Sequence, residues 1–336
     1  MSATVLAFAG VEPHFTPTVK AAPSASAAGN LRVGIVCNPK SHRNRGAAYA
    51  AGVPGAGRVM VAAPSTREAL ADTLSDFAKA GIDLLVIDGG DGTVRDVLSG
   101  AGNAWGRRWP TIVVIPSGKT NALAIDLGLP ADWTLDDALV AARVGRTVTR
   151  RPLEIARTDA PGTPALRGFL MGAGGFVSAT ELAQRTHRVG AFNGVAVGLA
   201  LGWTVVQTMF GSDSGAWRSG TPMTLTTPAG TVEAHPRYLL LASTMQRMPL
   251  GLKPFGPTRE GLKLLDVDAP PRLMAAAVPA ILAGRASGWL AKLGYHRRDM
   301  TGFRLDMEAN FILDGEHFPG GALEVRQGPR LSFVVP

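Results

Sequence analysis

From Leu31 onward the chain alternates short continuous apolar runs with stretches whose apolar residues recur every three or four positions. Leu31–Cys37 (LRVGIVC), Asp83–Ile87 (DLLVI) and Thr111–Ile115 (TIVVI) read as strands, and Arg58–Ala62 as a further one. Unbroken apolar runs of this length suit a parallel sheet covered on both faces, because neither side of the strand needs to meet water. Between them, Ser65–Ala80 carries helical periodicity, with Ser65 or Thr66 as N-cap and Glu68 in the first turn. Further helices are predicted near Thr93–Ser99, Asn121–Leu127 and Leu135–Val144. Strand, helix, strand at this rhythm predicts an open α/β domain over residues 31–147.

After Thr147 the pattern changes to short strands separated by turn residues. Val148–Ala156, Gly168–Gly172, Met223–Thr227, Arg237–Ala242, Leu262–Val267, Phe303–Met307, Ala309–Leu313 and Arg330–Val335 fit this reading. Two helical apolar stretches interrupt them, Val189–Phe210 and Arg272–Leu293. The expectation is a second, β-rich domain over 148–336, with a boundary near Arg146–Thr149. Met1–Asn30 has scattered Pro, Ser, Ala and Gly and no sustained period, and it lacks the basic start of a signal peptide. It reads as a flexible, uncleaved leader. Gly190–Ser212 holds no charged residue and matches the roughly 20 residues of a membrane span. Its glycines, Asn193 and Gln207 keep its hydrophobicity low, so it reads instead as a helix at a membrane surface or a lid over an apolar pocket.

Composition narrows the class. The 336 residues are 46% hydrophobic, enough for a large core, which excludes disorder over most of the length. A single cysteine, Cys37, excludes an internal disulfide, and no Cys/His cluster has zinc spacing. Cys37 reads as a small buried residue. Net charge is +8, which favours anionic partners such as phosphates, nucleotides or an acidic membrane surface without choosing among them. Only 6% of the residues are aromatic and no basic–aromatic interleaving occurs, so no nucleic-acid partner is expected.

Three predicted strands of the first domain end in loops of Gly, Pro and small polar residues: Asn38-Pro39-Lys40-Ser41, Gly89-Gly90-Asp91-Gly92-Thr93 and Pro116-Ser117-Gly118-Lys119-Thr120-Asn121. In an open parallel sheet, ligands bind beyond the carboxyl ends of the strands, where helix N-termini present free N–H groups. The loops are therefore expected to converge on one phosphate group, with Gly89, Gly90 and Gly92 letting backbone amides approach it. Asp91 would repel a phosphate unless a divalent cation or a hydroxyl donor lies between them. Gly118-Lys119-Thr120 looks like a Walker A ending, but Val113 stands where that motif needs its first glycine, so a P-loop is rejected. No Gly-x-Gly-x-x-Gly follows the first strand either. In the second domain, Ile312–Phe318 is apolar, turn, apolar, and its Asp314-Gly315 also suits a plain hairpin with Glu316 facing water.

Val36–Ser41 (VCNPKS), Ile87–Val97 (IDGGDGTVRDV), Ile115–Leu129 (IPSGKTNALAIDLGL) and Leu313–Glu316 (LDGE) resemble, in order and spacing, the diacylglycerol kinase catalytic family. That family groups bacterial diacylglycerol kinases with sphingosine and ceramide kinases, and the similarity runs from about Leu31 to Pro336. The resemblance implies an α/β nucleotide-binding domain followed by a β-sandwich-like domain, an active site in the cleft between them, and a last strand that returns to the first domain. It implies ATP and Mg²⁺ as cofactors. It assigns Asn38, Pro39, Lys40, Ser41, Gly89, Gly90, Asp91, Gly92 and Thr93 to the ATP phosphates and adenosine, and Thr66 to the nucleotide. Glu316 matches the residue that accepts the lipid hydroxyl proton, and Asp91 becomes a metal or hydroxyl-orienting partner. Lys40 and Lys119 are placed to offset triphosphate charge.

This chain departs from the family at three points. The usual Gly-Thr-x-Asn-Asp stands as Gly118-Lys119-Thr120-Asn121-Ala122, which puts Lys119 for the nucleotide-contacting threonine and Ala122 for the aspartate. The first loop ends Ser41-His42 rather than Ser-Gly. The segment that reads Asp-Gly-x-Leu in bacterial members and holds a structural metal stands as Arg259-Glu260-Gly261-Leu262, which leaves Glu260 as metal ligand with a reach one methylene longer.

The expectation is a lipid kinase that moves the ATP γ-phosphate to a diacylglycerol-like or related lipid alcohol. It would be cytoplasmic and peripheral at the inner face of the membrane, with a homodimer among its expected partners. Gly190–Phe210, Leu273–Leu293, and Arg143, Arg146, Arg150, Arg151, Arg297 and Arg298 are the candidates for contact with an anionic membrane surface; an ordinary solvated face explains the arginines equally well. A non-catalytic lipid- or nucleotide-binding relative and an NAD kinase-like enzyme stay open as alternatives.

Overall fold

The computed structural model describes residues 31–38, 56–106, 108–178, 180, 218–285 and 288–336. The leader, the segment Val189–Phe210, and Pro39, Lys40, Ser41 and His42 lie outside the described residues.

The first domain is a six-stranded sheet in the order β2-β1-β3-β4-β17-β5. Its strands are β1 (Leu31–Cys37), β2 (Ala56–Ala62), β3 (Leu84–Gly89), β4 (Thr111–Pro116), β5 (Thr147–Arg150) and β17 (Leu331–Val334). The pairs β1–β2, β1–β3, β3–β4 and β4–β17 are parallel, and β5 closes the edge antiparallel to β17. All six residues of β3 are buried, as its unbroken apolar text requires. One face packs on α1 (Arg67–Ala80), α2 (Asp91–Gly100) and α3 (Ala122–Leu127), through Leu70, Leu74, Phe77, Val97, Leu98 and Leu123. The other face packs on α4 (Leu135–Arg143), through Ala138, Leu139 and Ala141 with Trp133. Thr66 caps α1 by accepting the Ala69 N–H at 3.1 Å, and Gly81 ends it in the left-handed conformation at φ 62°. Truncating Leu74, fully buried beneath this helix, would cost about 2–5 kcal/mol.

The stretch Val148–Ala156 is two strands rather than one. Pro152 falls between them, and the chain leaves the first sheet after β5 to enter the second at β6 (Leu153–Arg157). The second sheet also contains β7 (Leu166–Gly168), β8 (Leu170–Gly174), β9 (Thr221–Thr226), β10 (Val232–Ser243), β11 (Leu262–Asp268), β12 (Tyr295–Met300), β13 (Gly302–Met307), β14 (Phe311–Leu313), β15 (Glu316–Phe318) and β16 (Gly321–Gln327). The long β10 links its parts: Val232–Arg237 pairs with β9, and Leu239–Ser243 pairs with both β8 and β11. The core of this domain gathers Ile155, Met171, Leu225, Leu240, Leu305 and Val325 from facing strands. Arg272–Leu293 forms two helices, α5 (Met274–Leu282) and α6 (Gly288–Lys292), and Pro279 stands inside α5. Among the described residues no helix is long and apolar enough to cross a membrane. This architecture is the expected one: a parallel-sheet first domain and a mainly antiparallel β-rich second domain.

The last strand ties the two together. After traversing the second domain the chain returns as β17, and Phe333 enters the first core, edge-on to Phe169 at 6.3 Å between ring centroids. A second tie is polar. Asp126 of α3, 0% exposed, accepts N–H bonds from Gln246 at 2.7 Å and Arg247 at 2.6 Å in the loop after β10, and from Arg150 Nε at 2.7 Å.

Candidate active site between the two domains

The glycine-rich loop sits where β3 gives way to α2. Asp88, at the end of the buried strand, accepts a short hydrogen bond from the Ser117 hydroxyl, and its carbonyl accepts the Asn38 N–H at 3.0 Å. These bonds join the ends of β1, β3 and β4. Gly90 is the N-cap of α2 and has no side-chain cap, so the first amides of that helix lack a side-chain acceptor. A Cβ on Gly90 would lie 3.0 Å from Cα of Gly118, and one on Gly118 only 2.5 Å from Cα of Gly90. The two loops therefore touch backbone to backbone, a contact that only two glycines allow. A Cβ on Gly89 would meet the Thr93 side chain at 2.4 Å, whereas one on Gly92 meets nothing nearer than Arg95 at 3.7 Å. Gly89 and Gly90 are thus required by the protein's own packing, and Gly92 is not.

Asn38 donates from Nδ2 to the Thr93 hydroxyl at 3.0 Å, which brings the first and second loops together. Asn121, left-handed at φ 50°, closes the third loop on itself: Oδ1 accepts the Gly118 N–H at 2.9 Å and Nδ2 donates to the Gly118 carbonyl at 2.8 Å. Lys119 stands exposed on that loop. Thr66 is exposed, and its hydroxyl is occupied in capping α1. Cys37 is buried at the end of β1, and burial, followed by the Asp88 charge, pushes its thiol up to about 11.

The two expected catalytic carboxylates have different surroundings. Asp91, the first residue of α2, turns inward and accepts the Ala122 and Leu123 amides at 2.9 and 3.1 Å, so it caps α3. Burial raises its pKa, partly offset by those two amides. Beside it is a carboxylate that the sequence reading treated only as a turn residue. Asp314 is left-handed at φ 46° and accepts the Phe169 and Leu170 amides at 3.0 and 2.9 Å. Burial, then the charge of Asp91, pushes the Asp314 carboxyl up to about 7. Asp91 from the first domain and Asp314 from the second line one small cavity, together with Leu123, Phe169 and Met245.

Glu316, two residues on, remains 45% exposed. Its carboxylate is held by Arg67 Nη2 at 3.1 Å, from the start of α1, and by a short bond to Arg95 of α2. Arg95 is only 4% exposed, and it also donates to the Leu313 carbonyl at 3.3 Å and to Asp96. Both guanidiniums lie over the Phe318 ring, at 5.9 and 5.5 Å from its centroid. The hairpin carboxylate thus reaches the first domain and meets the helix that starts at the glycine-rich loop. Neither arginine was singled out in the sequence, where each reads as one polar position on an amphipathic helix.

The structural metal expected at Glu260 does not fit. Glu260 is exposed and contacts Gln246 Nε2 at 3.4 Å, and among the described residues no group of three Asp, Glu, His or Cys side chains could hold a metal. A cation of the chain itself occupies the turn instead. Lys263, 3% exposed, donates its ammonium to the Arg259 and Gly261 carbonyls at 3.2 and 3.0 Å. Burial pushes Lys263 down to about 8, with the nearby Arg259 charge adding to the effect.

Known proteins resemble this chain in part of its sequence and in its fold. Residues 32–154 match the diacylglycerol kinase catalytic domain family. The curated diacylglycerol kinase of Bacillus subtilis (strain 168) is 38% identical over 77 residues, a match spanning 23% of this chain and 23% of that protein. The crystal structure of a diacylglycerol kinase from Bacillus anthracis str. Sterne superposes with a TM-score of 0.60 at 14% identity, covering 91% of this chain and 97% of that one. A second structure from the same strain gives 0.62 at 17% identity over the same shares. At such identities the structures speak for the fold alone, which extends the likeness from the matched segment to both domains. With its glycine-rich loop at the domain junction, the chain matches the diacylglycerol kinase catalytic domain family over residues 32–154 and shares its two-domain fold with the Bacillus anthracis structures.

Proposed function

We propose that this protein is an ATP-dependent lipid kinase that phosphorylates the hydroxyl of a diacylglycerol-like or related lipid alcohol in the cleft between its domains. The observation that carries the proposal is the position of Glu316: a partly exposed carboxylate of the second domain, held by Arg67 and Arg95 of the first. A base on one domain facing a phosphate-binding loop on the other can set an attacking hydroxyl in line with a bound phosphate.

In this reading ATP supplies the transferable phosphoryl group. The uncapped amides at the start of α2 and the Asn38–Thr93 pair bind its phosphates, and Lys119 adds positive charge at the next loop. Glu316 accepts the proton of the lipid hydroxyl, while Arg67 and Arg95 fix where its carboxylate points. Asp91 acts through position rather than contact, since its oxygens are engaged by the α3 amides. Mg²⁺ is assigned to the nucleotide rather than to the chain, because no cluster of ligands among the described residues suits a resident ion.

A second reading has its own support. A non-catalytic relative is favoured by the commitment of Asp91 to backbone amides and by Ala122 where the family has an acid. Membrane contact is part of the proposal as well. Residues 269–296 carry Arg272, Arg285 and Lys292 and no acid, and they present Leu273 and Trp289 to solvent, a composition suited to an anionic lipid surface. The neighbouring Arg298 is instead paired with Glu233 and Asp266, and Arg297 donates to the Pro254, Ile281 and Arg285 carbonyls. The test is transfer of labelled γ-phosphate from ATP to a total lipid extract, with Glu316→Gln as control. A labelled lipid that the variant fails to make supports the kinase. ATP binding without any labelled lipid favours the non-catalytic relative.

A further inference from the structure

Beside the interdomain tie at Asp126 lies a cavity of about 260 Å³. It is separate from the glycine-rich loop, and Met245 forms the wall it shares with the Asp91–Asp314 cavity. Its walls come from Ile125 of α3, the loop Met245–Met248 and the loop Gly251–Arg259, with Lys263 on one side. Among the described residues four cations line it, Arg247, Lys253, Arg259 and Lys263, and no acid does. Arg259 is neutralised by Asp299 at 2.6 Å, and Lys263 is engaged by its two carbonyls. Arg247 and Lys253 are exposed, and among the described residues neither side chain has a hydrogen-bond or ion-pair partner, although the Arg247 amide donates to Asp126.

Such an array repels a metal ion and attracts an anion. Guanidinium and ammonium groups bind phosphate through charge-assisted hydrogen bonds, the first as a fork and the second as a point charge. The remaining lining, including Met248, Leu252 and Phe255, is apolar. Between the lining residues Met248 and Gly251, Leu250 is held at φ 59° and left 55% exposed, an unfavourable backbone for a branched apolar residue that displays its side chain to solvent. The volume lies below the roughly 300–1,000 Å³ of pockets that enclose a whole drug-sized ligand. It suits a head group whose tail stays outside.

We propose that this cavity is a second phosphate site, distinct from the triphosphate loops, which takes the phosphate ester group of an amphiphile between Arg247 and Lys253. Occupancy would bear on the active site through the loop Met245–Met248, which is pinned to α3 by Asp126 and walls the Asp91–Asp314 cavity. The proposal does not depend on the kinase reading, since a non-catalytic relative would bind the same group.

The test is binding by the purified full chain of glycerol 3-phosphate, and separately of phosphatidylcholine vesicles with and without phosphatidic acid. Wild type is compared with the double variant Arg247→Gln/Lys253→Gln, whose exposed positions leave the core untouched, and each titration is repeated with ATP present. The expected result is binding by wild type, at least about ten-fold weaker in the variant and not displaced by ATP. Binding of the soluble ester identifies a free phosphate ester as sufficient, and binding of phosphatidic acid vesicles alone identifies a lipid head group. No binding of either probe, equal binding by the variant, or displacement by ATP would overturn the proposal. Turnover by Glu316→Gln is read independently, so failure of the kinase assignment and failure of the phosphate site are told apart.

Discussion

Asp126 offers the sharpest quantitative test of how the two domains are joined. Its carboxylate is 0% exposed and receives three donors: the Gln246 and Arg247 amides at 2.7 and 2.6 Å, and Arg150 Nε at 2.7 Å. In Asp126→Ala all three lose their acceptor at a site that water reaches poorly, and Arg150, itself 12% exposed, keeps an uncompensated charge. Breaking a buried ion pair by removing one partner costs about 3–5 kcal/mol. Against a total stability of about 5–15 kcal/mol, that is a large fraction. Asp126→Asn isolates the charge. Its carbonyl oxygen still accepts the two amides, but its NH₂ group faces the guanidinium, so about 1.5–3 kcal/mol is lost with the charge-assisted bond. Urea unfolding followed by fluorescence and far-UV circular dichroism should rank wild type above Asn and Asn above Ala. In the Ala background, Arg150→Met should cost much less than it does in wild type, the signature of a coupled pair. If Asp126→Ala stays within about 1 kcal/mol of wild type, or Asn is no better than Ala, the interdomain tie is not the polar cluster described here.

Three further outcomes follow from the same geometry. Gly118→Ala drives a Cβ to 2.5 Å from the Gly90 backbone and should lower stability by about 1–3 kcal/mol, whereas Gly92→Ala meets only Arg95 at 3.7 Å and should leave stability unchanged or raised; equal melting temperatures for the two would refute the packing argument. Asp314, pushed up to about 7, binds more protons folded than unfolded between pH 4 and 7, so its contribution to stability is full below that window and is lost as pH rises through about 7. Asp314→Asn should flatten the wild-type fall over that range in pH-dependent denaturant midpoints, and an unchanged slope would contradict the assignment. Lys263, pushed down to about 8, binds fewer protons folded than unfolded above that pH, so stability should rise as pH climbs from about 8 toward 10.5. The difference between wild type and Lys263→Met across that window isolates the lysine, and parallel curves would show that its burial is without effect.

The chain's local text determined much of this protein. Unbroken apolar runs marked β1, β3 and β4 as interior parallel strands, and the Thr66 and Glu68 signals marked the start of α1, because these depend only on period and on capping within a few residues. The loops at Gly89–Thr93 and Ser117–Asn121 were legible for the same reason, since turn and helix-start chemistry is local. The strands β16 and β12, whose polar and charged residues break the apolar pattern, cannot be read without their pairing partners. What the residues do to one another was decided by tertiary structure. Glu316 meets Arg67 and Arg95 across 249 and 221 residues of chain, and Asp314 lies beside Asp91 only because the hairpin docks on the first domain. Asp91 looks like a ligand in the linear sequence and becomes a helix cap in space, because the amides of Ala122 and Leu123 arrive where its carboxylate points. At the turn Arg259–Leu262, sequence likeness suggested a metal ligand, yet folding brings the Lys263 ammonium onto its carbonyls. A carboxylate's chemistry is set by the donors and charges within a few ångströms, and here those neighbours are distant in the chain and were fixed only by the folding of both domains.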